Sequence, residues 1–135
     1  MNYFLIKTEP STYSWDDFVK LGRDHWDGVR NFKARKYIKE MKMGDWCLFY
    51  HSVKEKSVIG IAEVVKEYYP DHTAEEKHWY MMDIVPVRKL KRPVTLAEIK
   101  ADVRLEKMRL VTNSRLSVQP VRKEEFDSVM EMSES

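Results

Sequence analysis

Three strand-forming stretches follow one another between Trp46 and Leu90 without a helical pattern between them, and that run constrains the fold more than any other feature. Trp46-Cys47-Leu48-Phe49-Tyr50-His51-Ser52 is rich in aromatic and apolar residues, and Val58 to Tyr69 is a long β-branched segment interrupted by Gly60. Trp79 to Leu90 reads as another long strand, in which Pro86 demands an edge or a bulge. The connection from Val53 to Ser57, carrying Lys54, Glu55 and Lys56, suits a hairpin. A doubly wound parallel sheet needs helices alternating with its strands, so this succession argues against one. Tyr3 to Lys7 adds a short buried first strand, while Leu110-Val111 and Leu116-Ser117-Val118 read as short strands or extended loop. The total is five or six strands, and antiparallel strands joined by tight loops are expected to close into a small barrel.

Helices flank this β-rich middle. Ser14 followed by Asp17 is a capping-box-like start, Gly22 is a natural stop, and Trp15, Phe18, Val19 and Gly22 fall on one helical face. In a second helix Ala34, Tyr37, Ile38 and Met41 recur at i, i+3, i+4 and i+7, with Asn31 at the N-cap position and Met43-Gly44-Asp45 closing the turn. Thr95 with Glu98 opens a short helix reaching about Ala101, and Val121 to Met132 reads as a final helix. The reading is one mixed α+β domain over residues 1–135, with a short acidic tail after about residue 131.

At 135 residues the chain is long enough for one real core, and 34% charged with 43% hydrophobic residues suits a globular domain. No apolar run approaches the roughly 20 residues that cross a bilayer, and the start lacks the basic n-region of a signal peptide. Cys47 is the single cysteine, which points to a reducing, cytoplasmic setting, or to the nucleus or nucleoid for a chain acting on DNA. With 24 basic against 22 acidic residues the net charge is +2, too small for a protein that coats nucleic acid. The charge is nevertheless clustered, with Arg30, Lys33, Arg35, Lys36, Lys39 and Lys42 forming one basic group. One cysteine and scattered histidines offer no metal-ligand motif, and four isolated glycines offer no phosphate loop, so no metal and no cofactor is expected.

Trp26-Asp27-Gly28-Val29-Arg30-Asn31 packs an aromatic plane, a permissive glycine, a guanidinium and an amide into six residues. An aromatic face beside an amide that both donates and accepts hydrogen bonds is what reading one flat polar ring requires. Packing in the core by Trp26 and helix capping by Asn31 form the alternative. Arg30 and Asn31 also stand at a helix N-terminus, whose free N–H groups attract phosphate. Ser114-Arg115-Leu116-Ser117 offers a second patch of hydroxyls and a guanidinium. The signal for catalysis is poor: His51 and Ser52 are adjacent, but neighbours on a strand point to opposite faces. For His51 a polar pocket contact or a structural role fits better.

Several stretches together resemble the EVE domain family: Trp26 to Arg35, Met41 to Asp45, Phe49-Tyr50-His51-Ser52, Ile59 to Ala62, Tyr69 to Ala74, and Arg115 to Val121. Lys7-Thr8-Glu9-Pro10 and Tyr13-Ser14 match as well, so the resemblance covers nearly the whole chain in order. It implies a PUA-like fold, a small β-barrel with flanking helices related to the YTH readers of methylated adenine. It also implies a non-catalytic module that binds a modified base in DNA or RNA, methylated or hydroxymethylated cytosine above all, acting as a monomer with no membrane. By that resemblance Trp26 supplies a stacking wall and Asn31 a hydrogen bond to the base. Lys7, Ser14, Arg30, His51, Ser52, Leu116 and Ser117 line or frame the pocket, while Lys33, Arg35, Lys36 and Arg115 meet the nucleic-acid backbone. Phe32 and Lys33 depart from the tyrosine-glutamine more usual after the asparagine. The rival readings are a nucleotide- or RNA-acting hydrolase using His51 and Lys7 as acid and base, and a binder of a small metabolite.

Overall fold

The computed structural model describes all residues from Met1 to Ser135. Six strands, β1 (Tyr3–Thr8), β2 (Asp24–His25), β3 (Trp46–His51), β4 (Ser57–Pro70), β5 (Tyr80–Thr95) and β6 (Val118–Val121), form one sheet in the order β2-β5-β4-β3-β1-β6. β3, β4 and β5 pair antiparallel in succession, β1 lies parallel to β3, and β6 runs antiparallel to β1. The five helices are α1 (Trp15–Leu21), α2 (Phe32–Glu40), α3 (Leu96–Ala101), α4 (Arg109–Thr112) and α5 (Lys123–Glu134).

The expected barrel is not closed. β2 and β6 are the two edges of the ladder and do not pair with each other. β2 has two residues and β6 four, too little strand to carry a closing seam, and helices cover the two faces instead. Period-two alternation sorts the strand residues between those faces. Phe4, Ile6, Cys47 and Phe49 join Trp15, Phe18, Ala34 and Ile38 in one core, whereas Leu5, Leu48 and Tyr50 join Ile99, Phe126 and Val129 in the other.

Local chemistry places most helix starts. Ser14 and Asp17 form a reciprocal capping box, as do Thr95 and Glu98, and Gly22 ends α1 in the left-handed conformation. Val19, expected on the buried face of α1, is exposed, because Trp15 and Phe18 alone turn that short helix toward the sheet. Leu110-Val111 is a helical turn rather than a strand, since Met108 carbonyl oxygen accepts from the Val111 and Thr112 N–H groups. Val121 ends β6 instead of opening the last helix, and the acidic stretch after residue 131 continues α5 to Glu134. Pro86 sits opposite Ala62, where the β4–β5 register shifts, so its missing N–H falls at an irregularity of the ladder.

Candidate nucleic-acid interface

The loop from Trp26 to Asn31 joins β2 to α2 and is held by its backbone at its start and its middle. Trp26 N–H donates to Met82 carbonyl oxygen at 2.8 Å, and Gly28 N–H donates to an Asp71 carboxylate oxygen at 2.9 Å. Gly28 has φ of +77°, a conformation that a side chain would strain. Arg30 donates to the same Asp71 oxygen at 3.0 Å, while the Thr73 hydroxyl and N–H bond the other oxygen at 2.6 and 2.8 Å. Burial by itself raises the Asp71 carboxyl, but Thr73, the Gly28 N–H and Arg30 together bring it down to about 2. The buried carboxylate is therefore an anion that fixes the loop.

Asn31 caps α2. Its Oδ1 accepts from Ala34 N–H at 3.0 Å, the capping role that the sequence offered as the alternative for this residue. The oxygen takes the cap, and the amide nitrogen has no partner within the protein.

This loop forms one wall of an open cleft of about 790 Å³. β1 contributes Lys7 and Thr8, the turn after it Glu9, Thr12 and Tyr13, and β2 with its flank Asp24, His25, Trp26 and Asp27. Gly28, Val29, Arg30, Asn31 and Ser117 complete the lining. The Trp26 indole meets Phe49 and Tyr13 edge-on, with ring centroids 5.8 and 6.2 Å apart, so part of it is packed while part borders the cleft. The Tyr13 hydroxyl is buried without a hydrogen-bond partner. Burial, then the neighbouring Asp24 charge, pushes its pKa up, so it stays protonated as a donor. Lys7 crosses to Ser114 carbonyl oxygen, and burial lowers its pKa below the ordinary lysine value.

Of the residues expected at the site, Lys7, Trp26, Arg30, Asn31 and Ser117 share this cleft. Four others stand elsewhere. Ser14 caps α1, and Leu116 is 2% exposed within the core. His51 Nε2 accepts from Trp15 N–H at 3.0 Å, and Ser52 Oγ donates to Thr8 carbonyl oxygen. Among the basic residues, Arg35 donates to His78 carbonyl oxygen and lies over the Phe32 and Trp79 rings, Lys36 lies over Tyr37, and Lys33 and Arg115 are exposed. Tyr13, Asp24, His25, Asp27 and the anchor Asp71 were missed. Tyr13 and Asp71 lie inside stretches matching the family, but neither residue type announces a role. The pair Asp24-His25 reaches the cleft only because β2 adds to the edge of β5.

Such a cleft has the size of a small-ligand site, and it is lined mainly by polar and charged side chains around the Trp26 and Tyr13 rings. No group of three or more His, Cys, Asp or Glu side chains converges in a way that could hold a metal ion, and no helix is long and apolar enough to cross a membrane.

The structure is a mixed α+β fold with an open cleft in which the Trp26 and Tyr13 rings border polar and charged side chains. The EVE domain profile matches residues 2–132, and the chain belongs to the EVE domain family. Human thymocyte nuclear protein 1 is 41% identical over 167 aligned positions, covering 98% of this chain and 74% of the human protein. A crystal structure of a protein from Agrobacterium tumefaciens is 45% identical and superposes with a TM-score of 0.96, covering 98% of this chain and 93% of that one. Human THYN1 protein, solved in complex with 5-methylcytosine containing DNA, is 35% identical with a TM-score of 0.93, covering 100% of this chain and 99% of its own.

Proposed function

We propose that this chain is a non-catalytic reader of methylated cytosine in DNA, taking one base out of the stack into the cleft. The observation that carries the reading is the pinned Trp26–Asn31 loop, which presents an indole and an unused amide donor to one cavity. The human relative solved with 5-methylcytosine DNA supports cytosine as the base. The indole and the Tyr13 ring give the base apolar surface, and Val29 gives its methyl group an apolar neighbour. Asp24 accepts from the exocyclic amine that cytosine has and thymine lacks. Flipping costs a few kcal/mol, and binding in the cleft must offset it. Arg30, held by Asp71, and Lys7 stand at the rim for the flanking phosphates. The hydrolase reading needs His51 beside Lys7, yet His51 is 7% exposed, committed to the Trp15 N–H and outside the cleft lining. The reading places the chain with DNA, in a nucleus or nucleoid, acting as a monomer with one cleft per chain.

Titration of labelled DNA and RNA oligonucleotides carrying cytosine, 5-methylcytosine, 5-hydroxymethylcytosine or N6-methyladenine tests this. DNA with 5-methylcytosine is expected to bind tightest, and Trp26→Ala to remove about 1–3 kcal/mol of that binding. Equal affinity for every oligonucleotide, unchanged by Trp26→Ala, would refute the reading.

A further inference from the structure

Immediately beside the cleft, on the far side of Asn31, Phe32 is 68% exposed although it is a large aromatic residue. Its ring lies tilted by 31° against Trp79 with centroids 5.3 Å apart, and the Arg35 guanidinium lies 4.8 Å from the Phe32 centroid and 5.1 Å from that of Trp79. One turn further along α2 the pattern repeats. Lys39 lies 5.8 Å from the Tyr68 ring and 5.5 Å from the Tyr80 ring, and those two rings are 5.3 Å apart. Phe32, Arg35 and Lys39 stand at i, i+3 and i+7, on one face of the helix. Aromatic rings and cations thus alternate along a stripe that begins at the cleft edge.

Charge says what the stripe fits. Arg35 and Lys39, and Lys33 and Lys36 beside them, form no ion pair with a carboxylate, and with Glu40 as its one acidic residue the helix carries a net charge of +3. Glu75 and Glu76 line the depression beyond Arg30 and Trp79, and their charge turns a phosphate away from that side and toward α2. Seven helical residues rise about 10 Å, which matches about three nucleotide steps at 3.4 Å each. Rings for bases and cations for phosphates, in alternation, are the arrangement that holds a nucleic-acid strand without reading its sequence.

We propose that this stripe is a second subsite, which takes about three nucleotides flanking the base held in the cleft, the first of them stacked on Phe32. The inference rests on the reader function above and adds the strand to the base. It sets how the protein gains affinity, whereas the cleft sets which base is chosen.

The test compares 5-methyl-2′-deoxycytidine with single-stranded oligonucleotides that carry 5-methylcytosine at one end and extend by one to five nucleotides in either direction. Affinity is expected to rise with extension in one direction only and to level off at about three added nucleotides. Phe32→Ala should weaken the extended oligonucleotides by about 5- to 150-fold, the equivalent of losing one stacked base. It should leave nucleoside binding and the melting temperature unchanged, and Phe32→Tyr should restore the affinity. A Phe32→Ala protein that binds every extended oligonucleotide within twofold of the wild type overturns the subsite, while the cleft reading survives through its own Trp26→Ala loss. If the wild type does not distinguish modified from unmodified DNA and Trp26→Ala changes nothing, both fall together.

Discussion

Asn31 caps α2 through its oxygen, and in the proposed reading its amide nitrogen serves the base. The cap uses the oxygen, because the Ala34 N–H needs an acceptor, and this leaves the amide nitrogen for a ligand. Asn31→Asp keeps the acceptor and removes the donor, so it should melt close to the wild type yet bind methylated DNA more weakly. Asn31→Ala loses both and should also cost about 0.5–2 kcal/mol of stability. Thermal melts beside DNA titrations separate the two variants, and equal binding losses without any difference in melting would contradict the division. Asp71 makes a prediction in pH. Its folded pKa, about 2, lies below the ordinary carboxylate value, so its stabilisation is complete above about pH 4 and is lost as pH falls toward 2. The loss is on the order of 2 kcal/mol. Melting wild type and Asp71→Asn at pH 5 and pH 2.5 should show the wild type losing more. Asp71 did not declare its partners in the sequence: it is 43 positions from Gly28, and a carboxylate after Tyr69-Pro70 reads as an ordinary turn residue.

Among the elements, those governed by hydrogen bonds within a few residues were legible. The boxes Ser14–Asp17 and Thr95–Glu98, the stop at Gly22 and the cap at Asn31 all close over three or four positions, and each forms. Errors came where packing overrides propensity. Val19 has the apolar character of a core residue but faces solvent, and Leu110-Val111 has β-forming residues but curls into α4. Gly60 was visible as an interruption of β4, yet its reason is tertiary. A Cβ there would stand 2.6 Å from two ring atoms of Trp15, so the glycine is the slot in which that buried indole lies. Gly60→Ala should therefore cost about 1–3 kcal/mol through overpacking, read as a lower urea midpoint. An unchanged midpoint would mean that Trp15 has room to move. Because Trp15 N–H is also the group held by His51, the same substitution should disturb the floor between α1 and the end of β3.

For the molecule as a whole, a net charge of +2 predicts local rather than enveloping contact with nucleic acid. If Lys33, Arg35, Lys36 and Arg115 each meet one phosphate of duplex DNA, log affinity should fall with log salt at a slope of about −3 to −4. Replacing Lys33 and Lys36 together by alanine should flatten that slope by about 2 and leave the preference for the modified base intact. Loss of the preference instead would place those lysines on the base. The consecutive strands and the helix caps were present in the sequence, because short-range hydrogen bonding and hydrophobic periodicity encode them. The open sheet, the burial of Leu116, the diversion of His51 to the Trp15 backbone and the arrival of Tyr13 and Asp24 at the cleft were not. Those depend on which strand edges meet and which way each side chain turns once they do, and only packing between distant segments sets that.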